Sequence, residues 1–235
     1  MKRYDHLTDA LQACLLNATR GYVQGVSFVA EASKQDDIEA KWAEVYGTGL
    51  SAWKRYERKR KGLPNAWACT MPVPGRPKMR QFVLLATEIH ADKLDPRSPW
   101  LREKWRPLDD LEIGDYGIRR DRRDRRDYAM TVKLTGRARS GLEQHWRALA
   151  QKDLEQLVHD TRRAVAFYPM FGGVRRQLRR LIRGYANLYE KKRGKPWPGP
   201  DPEALPAMKS FRSADRRNGG AAAPADEKTA ATAAG

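Results

Sequence analysis

The spacing of apolar residues changes twice along the chain, from helical near the N-terminus to alternating in the middle and back to helical. In the first 62 residues it follows intervals of three and four, at Leu7, Ala10, Leu11, Cys14 and Leu15, and again at Ile38, Trp42, Val45 and Tyr46. Such intervals predict amphipathic helices. The segment between them, GYVQGVSFVAEASKQDD, fits the same spacing, so we predict a helix there too.

After residue 65 the chain becomes rich in β-branched and aromatic residues, with Pro and Gly between the runs, which predicts strands. The segments AWACTMPV and MRQFVLLATEI flank PGRPK and predict a hairpin, with Pro72 at a strand end. LEIGDYGIRR predicts a third strand. Residues 128–135 predict a fourth, because Tyr128, Met130, Val132 and Leu134 share one side of an extended chain.

Helical spacing returns after Ala138 and predicts two C-terminal helices separated by FYPMFGG. The first carries an apolar stripe from Leu142 to Val165, and the second runs from about Val174 to Lys192. The proline-rich GKPWPGPDPEALPAM cannot continue that helix. Residues 212–235 have no large apolar side chain and are predicted to be a disordered tail.

These elements predict an α+β fold with N-terminal helices, a small antiparallel sheet of about four strands, two C-terminal helices and a tail. We divide the chain into a helical region at 1–62, a sheet with basic helices at 63–211 and the tail at 212–235. The first two regions can form one domain.

The net charge of the chain limits the classes of partner that it is expected to bind. With 46 Lys and Arg against 29 Asp and Glu, the net charge is +17, which favours nucleic acid, an anionic membrane or an acidic protein. No run reaches the roughly 18 apolar residues of a membrane span, so no membrane insertion is expected. Cys14 and Cys69 lack metal-ligand spacing and are read as incidental thiols in a reducing compartment, which predicts a cytoplasmic protein.

Residues 38–62, IEAKWAEVYGTGLSAWKRYERKRKG, resemble the helix-turn-helix of bacterial DNA-binding proteins. Ala43 is small where two helices would meet, Gly47 lies where the turn would bend, and Trp42, Tyr46, Trp53 and Tyr56 fall at core spacings. The resemblance implies a recognition helix that presents Lys54, Arg55, Arg58, Lys59 and Arg60 to a groove. A helical hairpin with a basic, solvated face is the alternative.

Two further arginine clusters are candidate phosphate contacts. The second C-terminal helix places Arg175, Arg176, Arg179, Arg180 and Arg183 on the face opposite its apolar stripe, which is the strongest basic footprint in the chain. In RRDRRDRRD, residues 119–127, Asp at every third position lowers the local charge. Its Arg122, Arg123, Arg125 and Arg126 are therefore auxiliary contacts, or else part of a self-paired loop that protects a strand edge.

One pattern suggests chemistry rather than binding. Glu88, His90 and Asp92 alternate in TEIHAD, and on a strand they would share one face and could hold a divalent metal. That arrangement would suit a metal-dependent nuclease, although alternating polar groups also occur on any strand with one wet face. The sequence shows no Gly-rich phosphate loop, nucleophile elbow or Cys-His zinc pattern, so we expect neither an enzyme nor a cofactor.

The segment from FYPMFGG to EALPAM, together with FVLLATEI, resembles uncharacterised proteins of proteobacterial plasmids and integrative elements. The resemblance implies a role in the transfer, maintenance or regulation of a mobile element and assigns no functional residues. We therefore expect an accessory or regulatory protein that binds nucleic acid, duplex DNA more than RNA. A metal-dependent nuclease and an RNA-binding or assembly protein are the alternatives.

Overall fold

The computed structural model describes residues 1–122 and 128–208. These residues contain seven α-helices and eight strands. The helices are α1 (Leu7–Thr19), α2 (Gln35–Tyr46), α3 (Ala52–Arg60), α4 (Pro99–Arg102), α5 (Gly136–Lys152), α6 (Leu154–Phe167) and α7 (Gly172–Arg193). The strands are β1 (Lys2–Arg3), β2 (Gln24–Glu31), β3 (Ala66–Val73), β4 (Arg76–Ala86), β5 (Arg106–Pro107), β6 (Glu112–Ile113), β7 (Tyr116–Arg122) and β8 (Tyr128–Leu134). The predicted α+β class is confirmed.

The strands form two sheets. The larger has the order β1-β3-β4-β2-β5, with the predicted hairpin β3–β4 at its centre and β1 parallel to β3. The smaller is β6-β7-β8, all antiparallel. The predicted strands at 66–73, 79–89 and 128–135 are confirmed as β3, β4 and β8. LEIGDYGIRR forms two antiparallel strands, β6 and β7, rather than the one strand predicted, and the strands belong to two sheets rather than to one. Pro72 is the penultimate residue of β3, where the register shifts, as expected for a strand end.

The helix predicted between residues 21 and 37 is wrong over most of its length, since β2 lies there. Strand β2 pairs with β4 along eight residues, from Gln24 opposite Ala86 to Glu31 opposite Met79. Gly25 fits beneath Leu111, and a Cβ at this position would lie 2.8 Å from the Leu84 carbonyl oxygen. Long-range pairing, rather than local spacing, therefore decides the conformation of this segment.

The larger sheet is buried on both faces along most of β3 and the second half of β4, which explains the near-continuous apolar runs of these two strands. One face of β4, with Phe82, Leu84 and Ala86, packs against Trp42 and Tyr46 of α2. The opposite face belongs to a core shared with α1, the smaller sheet and the C-terminal helices. Helix α1 contacts β3, β7 and β8 and so joins the two sheets. Segments from both sides of residue 62 therefore share one sheet and one core.

The first of the two predicted C-terminal helices is in fact two helices, α5 and α6. Asp153 between them has extended backbone angles, φ −149° and ψ 100°, and its carboxylate accepts a hydrogen bond from the Gln156 amide at 2.9 Å. This is an N-cap, which ends one helix and begins the next. Helix α7 was predicted correctly to within two residues at each end.

Candidate nucleic-acid interface

Helix α3 is anchored mainly at its two ends. Ser51 caps its N-terminus by accepting a hydrogen bond from the Lys54 amide at 3.3 Å. At its C-terminus Gly62 has φ +68°, and the Leu63 amide donates to the Arg58 carbonyl oxygen at 2.9 Å. None of the nine residues of α3 is buried. The helix therefore exposes most of its surface to solvent.

Arg58 differs from the other cations of α3 because it holds the helix to the fold. Its Nε and a terminal nitrogen donate to the Pro64 carbonyl oxygen at 3.0 and 2.7 Å, and its guanidinium lies 5.8 Å from the centre of the Trp100 ring. Burial lowers its pKa from the ordinary arginine value. The sequence-based role of Arg58 as a groove contact does not fit this placement, since two of its three nitrogens already donate to Pro64 and its guanidinium lies against Trp100.

Replacing Arg58 with lysine should lower the free energy of unfolding by about 1 kcal/mol, because an ammonium cannot reproduce the paired hydrogen bonds and the ring contact. Urea denaturation followed by circular dichroism measures the loss. The matched control is Lys59→Arg, at the next position on the exposed side of α3, which should leave stability unchanged. Equal stability of the Arg58→Lys variant and the native chain would refute the anchoring role.

Four of the predicted cations of α3 remain available. Lys54, Lys59 and Arg60 are exposed and Arg55 is half-buried, and none of the four forms an ion pair within the described ranges. Arg55 and Lys59 line a cavity of about 450 Å³ between α3, the end of α1 and the loop after β4. Arg20, which follows α1, is a third cation in this cavity, and Glu88 is its one carboxylate among the described residues.

A second cavity, of about 880 Å³, continues the first. Arg20, Tyr22 and Arg55 line both cavities, and Lys2 and Arg3 line the second. Of these cations, Arg3 is already paired with Asp36 and Glu39, which lie outside the cavity lining. No described carboxylate lines the second cavity. Burial raises the pKa of Tyr22, and the charges of Arg55 and Arg20 act in the opposite direction. We call the two cavities together the basic groove.

Two aromatic side chains on α3 are unexpectedly exposed. Trp53 is 66% and Tyr56 55% exposed, with ring centroids 6.0 Å apart, and Tyr56 also lines the basic groove. Their predicted core positions are wrong, because Trp42, Tyr46 and Trp100 already fill the core on this side. Ala43 is likewise exposed, so it does not lie where two helices meet. Gly47 does end α2 with a φ of +66°, as expected for a turn.

The arginine face of α7 is partly neutralised by residues 195–208, which we call the C-terminal strap. Glu203 of the strap pairs with Arg183 and, at 3.7 Å, with Arg179, which also donates to the Pro202 carbonyl oxygen at 3.0 Å. Of the remaining arginines of this face, Arg176 and Arg180 are exposed and Arg175 is half-buried. The predicted uninterrupted basic stripe is therefore shorter than expected.

Apolar contacts and one backbone hydrogen bond hold the strap against the C-terminal helices. The Trp197 ring packs edge-on against Tyr189 at 5.5 Å, Leu205 is buried, and the Met208 amide donates to the Met170 carbonyl oxygen. The apolar Trp197 and Leu205 within a proline-rich run were the available signal for a docked segment. Because Leu205 is buried, Glu203 two residues before it lies next to Arg179 and Arg183 of α7.

Most of the repeated Arg-Arg-Asp run falls outside the described residues, including the predicted contacts Arg123, Arg125 and Arg126. Arg122 is the last residue of β7 and pairs in register with Tyr128 of β8. Just before it, Arg120 is paired with Asp109, with Nε to Oδ2 at 3.6 Å. The described flanks of the run therefore form a β-ladder.

Glu88, His90 and Asp92 do not lie on a strand, because β4 ends at Ala86. Glu88 and His90 line the basic groove with their Oε2 and Nε2 atoms 3.9 Å apart, and Asp92 lies in the 3₁₀ turn Ala91–Lys93. Across residues 1–122 and 128–208, no three His, Cys, Asp or Glu side chains come together as a metal site. The strand that the metal prediction required is absent from this position.

Comparison of the chain with protein-family models, curated proteins and solved structures finds no match. Within the described part of the chain, no helix has both the length and the apolar character to span a bilayer.

Proposed function

We propose that this protein binds nucleic acid through the basic groove and the exposed side of α3. The observation that carries the proposal is the charge of the groove: Arg20, Arg55 and Lys59 line one cavity and face a single described carboxylate, Glu88. Phosphate backbones are the polyanions that such unpaired cations attract most strongly. The net charge of +17 supports the same class of partner.

The contact set that supports this proposal differs from the sequence-based one. Lys54, Arg55, Lys59 and Arg60 stay in it, Arg58 leaves it, and Arg20 enters it. The exposed arginines of α7 form a second, smaller basic face. The mobile-element role and the cytoplasmic location stay predictions from the sequence, and the choice between duplex and single strand depends on the shape of the groove.

Simultaneous replacement of Arg20, Arg55 and Lys59 with alanine should weaken nucleic-acid binding roughly 10-fold or more at low salt. Each lost phosphate contact should also lower the slope of log affinity against log salt by about 1, so the triple variant should lose about 3. Fluorescence anisotropy with labelled oligonucleotides over a salt series measures both quantities.

The control removes the same charge elsewhere: Arg137, Arg139 and Lys152 are exposed on α5 and are replaced together with alanine. This variant should bind closer to the native level than the groove variant does. Equal losses in the two variants would mean that net charge alone, and no particular groove, attracts the ligand. A salt slope near zero for the native chain would reject nucleic-acid binding altogether.

A further inference from the structure

We propose, building on the function proposed above, that the basic groove takes unpaired nucleotides: the bases of a single strand stack on Trp53 and Tyr56 while its phosphates lie along Arg20, Arg55 and Lys59. Water-exposed aromatic rings beside unpaired cations are the two components of single-strand recognition. The groove brings both together, since Tyr56 lines the same cavity as the three cations.

The aromatic pair has no structural task that accounts for its exposure. Trp53 and Tyr56 are more than half exposed, and their rings are tilted by 34° rather than stacked face to face. Neither side chain hydrogen-bonds to another described residue. A large ring that is more than half exposed is available for stacking with a base, and every base offers a π face for such a contact.

The rings and one of the cations that would contact the strand lie on the same face of α3. Tyr56 and Lys59 are three residues apart, so they are neighbours on one helix face with Cβ atoms about 5 to 6 Å apart. Trp53 precedes Tyr56 by the same interval and extends the aromatic row along that face. A base on the ring of Tyr56 therefore leaves its own phosphate within reach of the Lys59 ammonium, and Arg55 lies in the same cavity wall.

The shape of the site favours a strand over a duplex. In a duplex the base faces are stacked inside the helix, so Trp53 and Tyr56 would have no ring to meet unless a base left the stack. The cations lie in concave walls, in cavities of about 450 and 880 Å³, which a flexible single strand can enter. A recognition helix for a duplex instead has an apolar side packed on its neighbour, whereas α3 buries no residue.

The test measures the affinity of a 12-nucleotide single strand and of a 12-base-pair duplex, each as DNA and as RNA, by anisotropy at fixed salt. The native chain should prefer the single strand. The double variant W53A/Y56A should bind the single strand roughly 10- to 100-fold more weakly, with an unchanged salt slope because no phosphate contact is lost. The variant W53F/Y56F, which keeps aromatic faces, should retain most of the affinity.

The matched control is Phe167→Ala, which removes another ring that is 67% exposed, on α6. It should leave single-strand affinity unchanged. The circular dichroism melting curve of each variant checks that a loss does not come from unfolding.

If W53A/Y56A binds like the native chain while the Arg20, Arg55 and Lys59 variant binds weakly, the unpaired-nucleotide inference is wrong and the proposed function stands. The inference is equally wrong if the duplex is preferred. If no nucleic acid binds in a salt-dependent way, the proposed function itself fails.

Discussion

Replacing Trp146 with alanine is expected to lower the free energy of unfolding by about 3 to 5 kcal/mol. Trp146 on α5 is fully buried, and its indole packs edge-on against Tyr185 of α7 with ring centroids 5.9 Å apart. Its Nε1 donates to Oδ2 of Asp160 on α6 at 2.7 Å. One side chain therefore contacts both neighbouring C-terminal helices, and its removal leaves a cavity and takes a donor from a carboxylate.

Guanidinium denaturation followed by circular dichroism measures this loss. The matched control makes the same chemical change at the surface: Trp53→Ala should alter stability by no more than about 0.5 kcal/mol. The two variants should also separate in binding, because Trp53→Ala weakens single-strand affinity and Trp146→Ala leaves it unchanged while the protein is folded. A loss below 1 kcal/mol for Trp146→Ala would contradict its placement in the core.

Replacing Gly173 with alanine should lower the free energy of unfolding by about 2 to 3 kcal/mol, because helix α7 meets strand β8 at this residue. A Cβ on Gly173 would lie 2.4 Å from the Val132 carbonyl oxygen and 2.5 Å from Cγ of Lys133. The Gly173 amide also donates to Oγ1 of Thr131 at 2.9 Å, so the helix cannot move away without losing this bond.

The adjacent glycine supplies the control. A Cβ on Gly172 would meet no atom closer than 3.7 Å, which is an ordinary contact. Gly172→Ala should therefore leave stability unchanged or raise it by up to about 1 kcal/mol, since alanine is the better helix former. Thermal melts of the two variants measure the contrast, and equal melting temperatures would show that α7 does not pack this closely on β8.

The elements that could be predicted from the sequence are those in which the spacing of apolar residues matches the residues that tertiary packing buries. The β3–β4 hairpin and α7 are such cases, because the residues at their apolar intervals are also the buried ones. Strand β2 could not be predicted locally, since its conformation depends on pairing with β4 some 55 residues later. The break at Asp153 was visible as an N-cap residue followed three positions later by Gln156, a signal that the apolar stripe obscured.

The candidate site was only half visible in the sequence. The cations of α3 lie close together in the sequence, at 54–55 and 58–60, and could be identified, whereas Arg20 is a single arginine after α1 that only the fold brings to Arg55. Arg58 looked like its neighbours and differs from them only through Pro64 and Trp100. Glu203 could not be assigned to the arginines of α7 because its position depends on how the strap docks.

Because α3 buries no residue, its side chains can change with little effect on the stability of the fold. Substitutions at Trp53, Lys54, Tyr56 or Lys59 would remove contacts with the proposed nucleic acid but almost none with the core. Most surface changes of this kind alter stability by less than about 0.5 kcal/mol. Ligand preference can therefore diverge through α3 while the fold is maintained by other residues, among them Arg58, which ties the helix to the loop at Pro64.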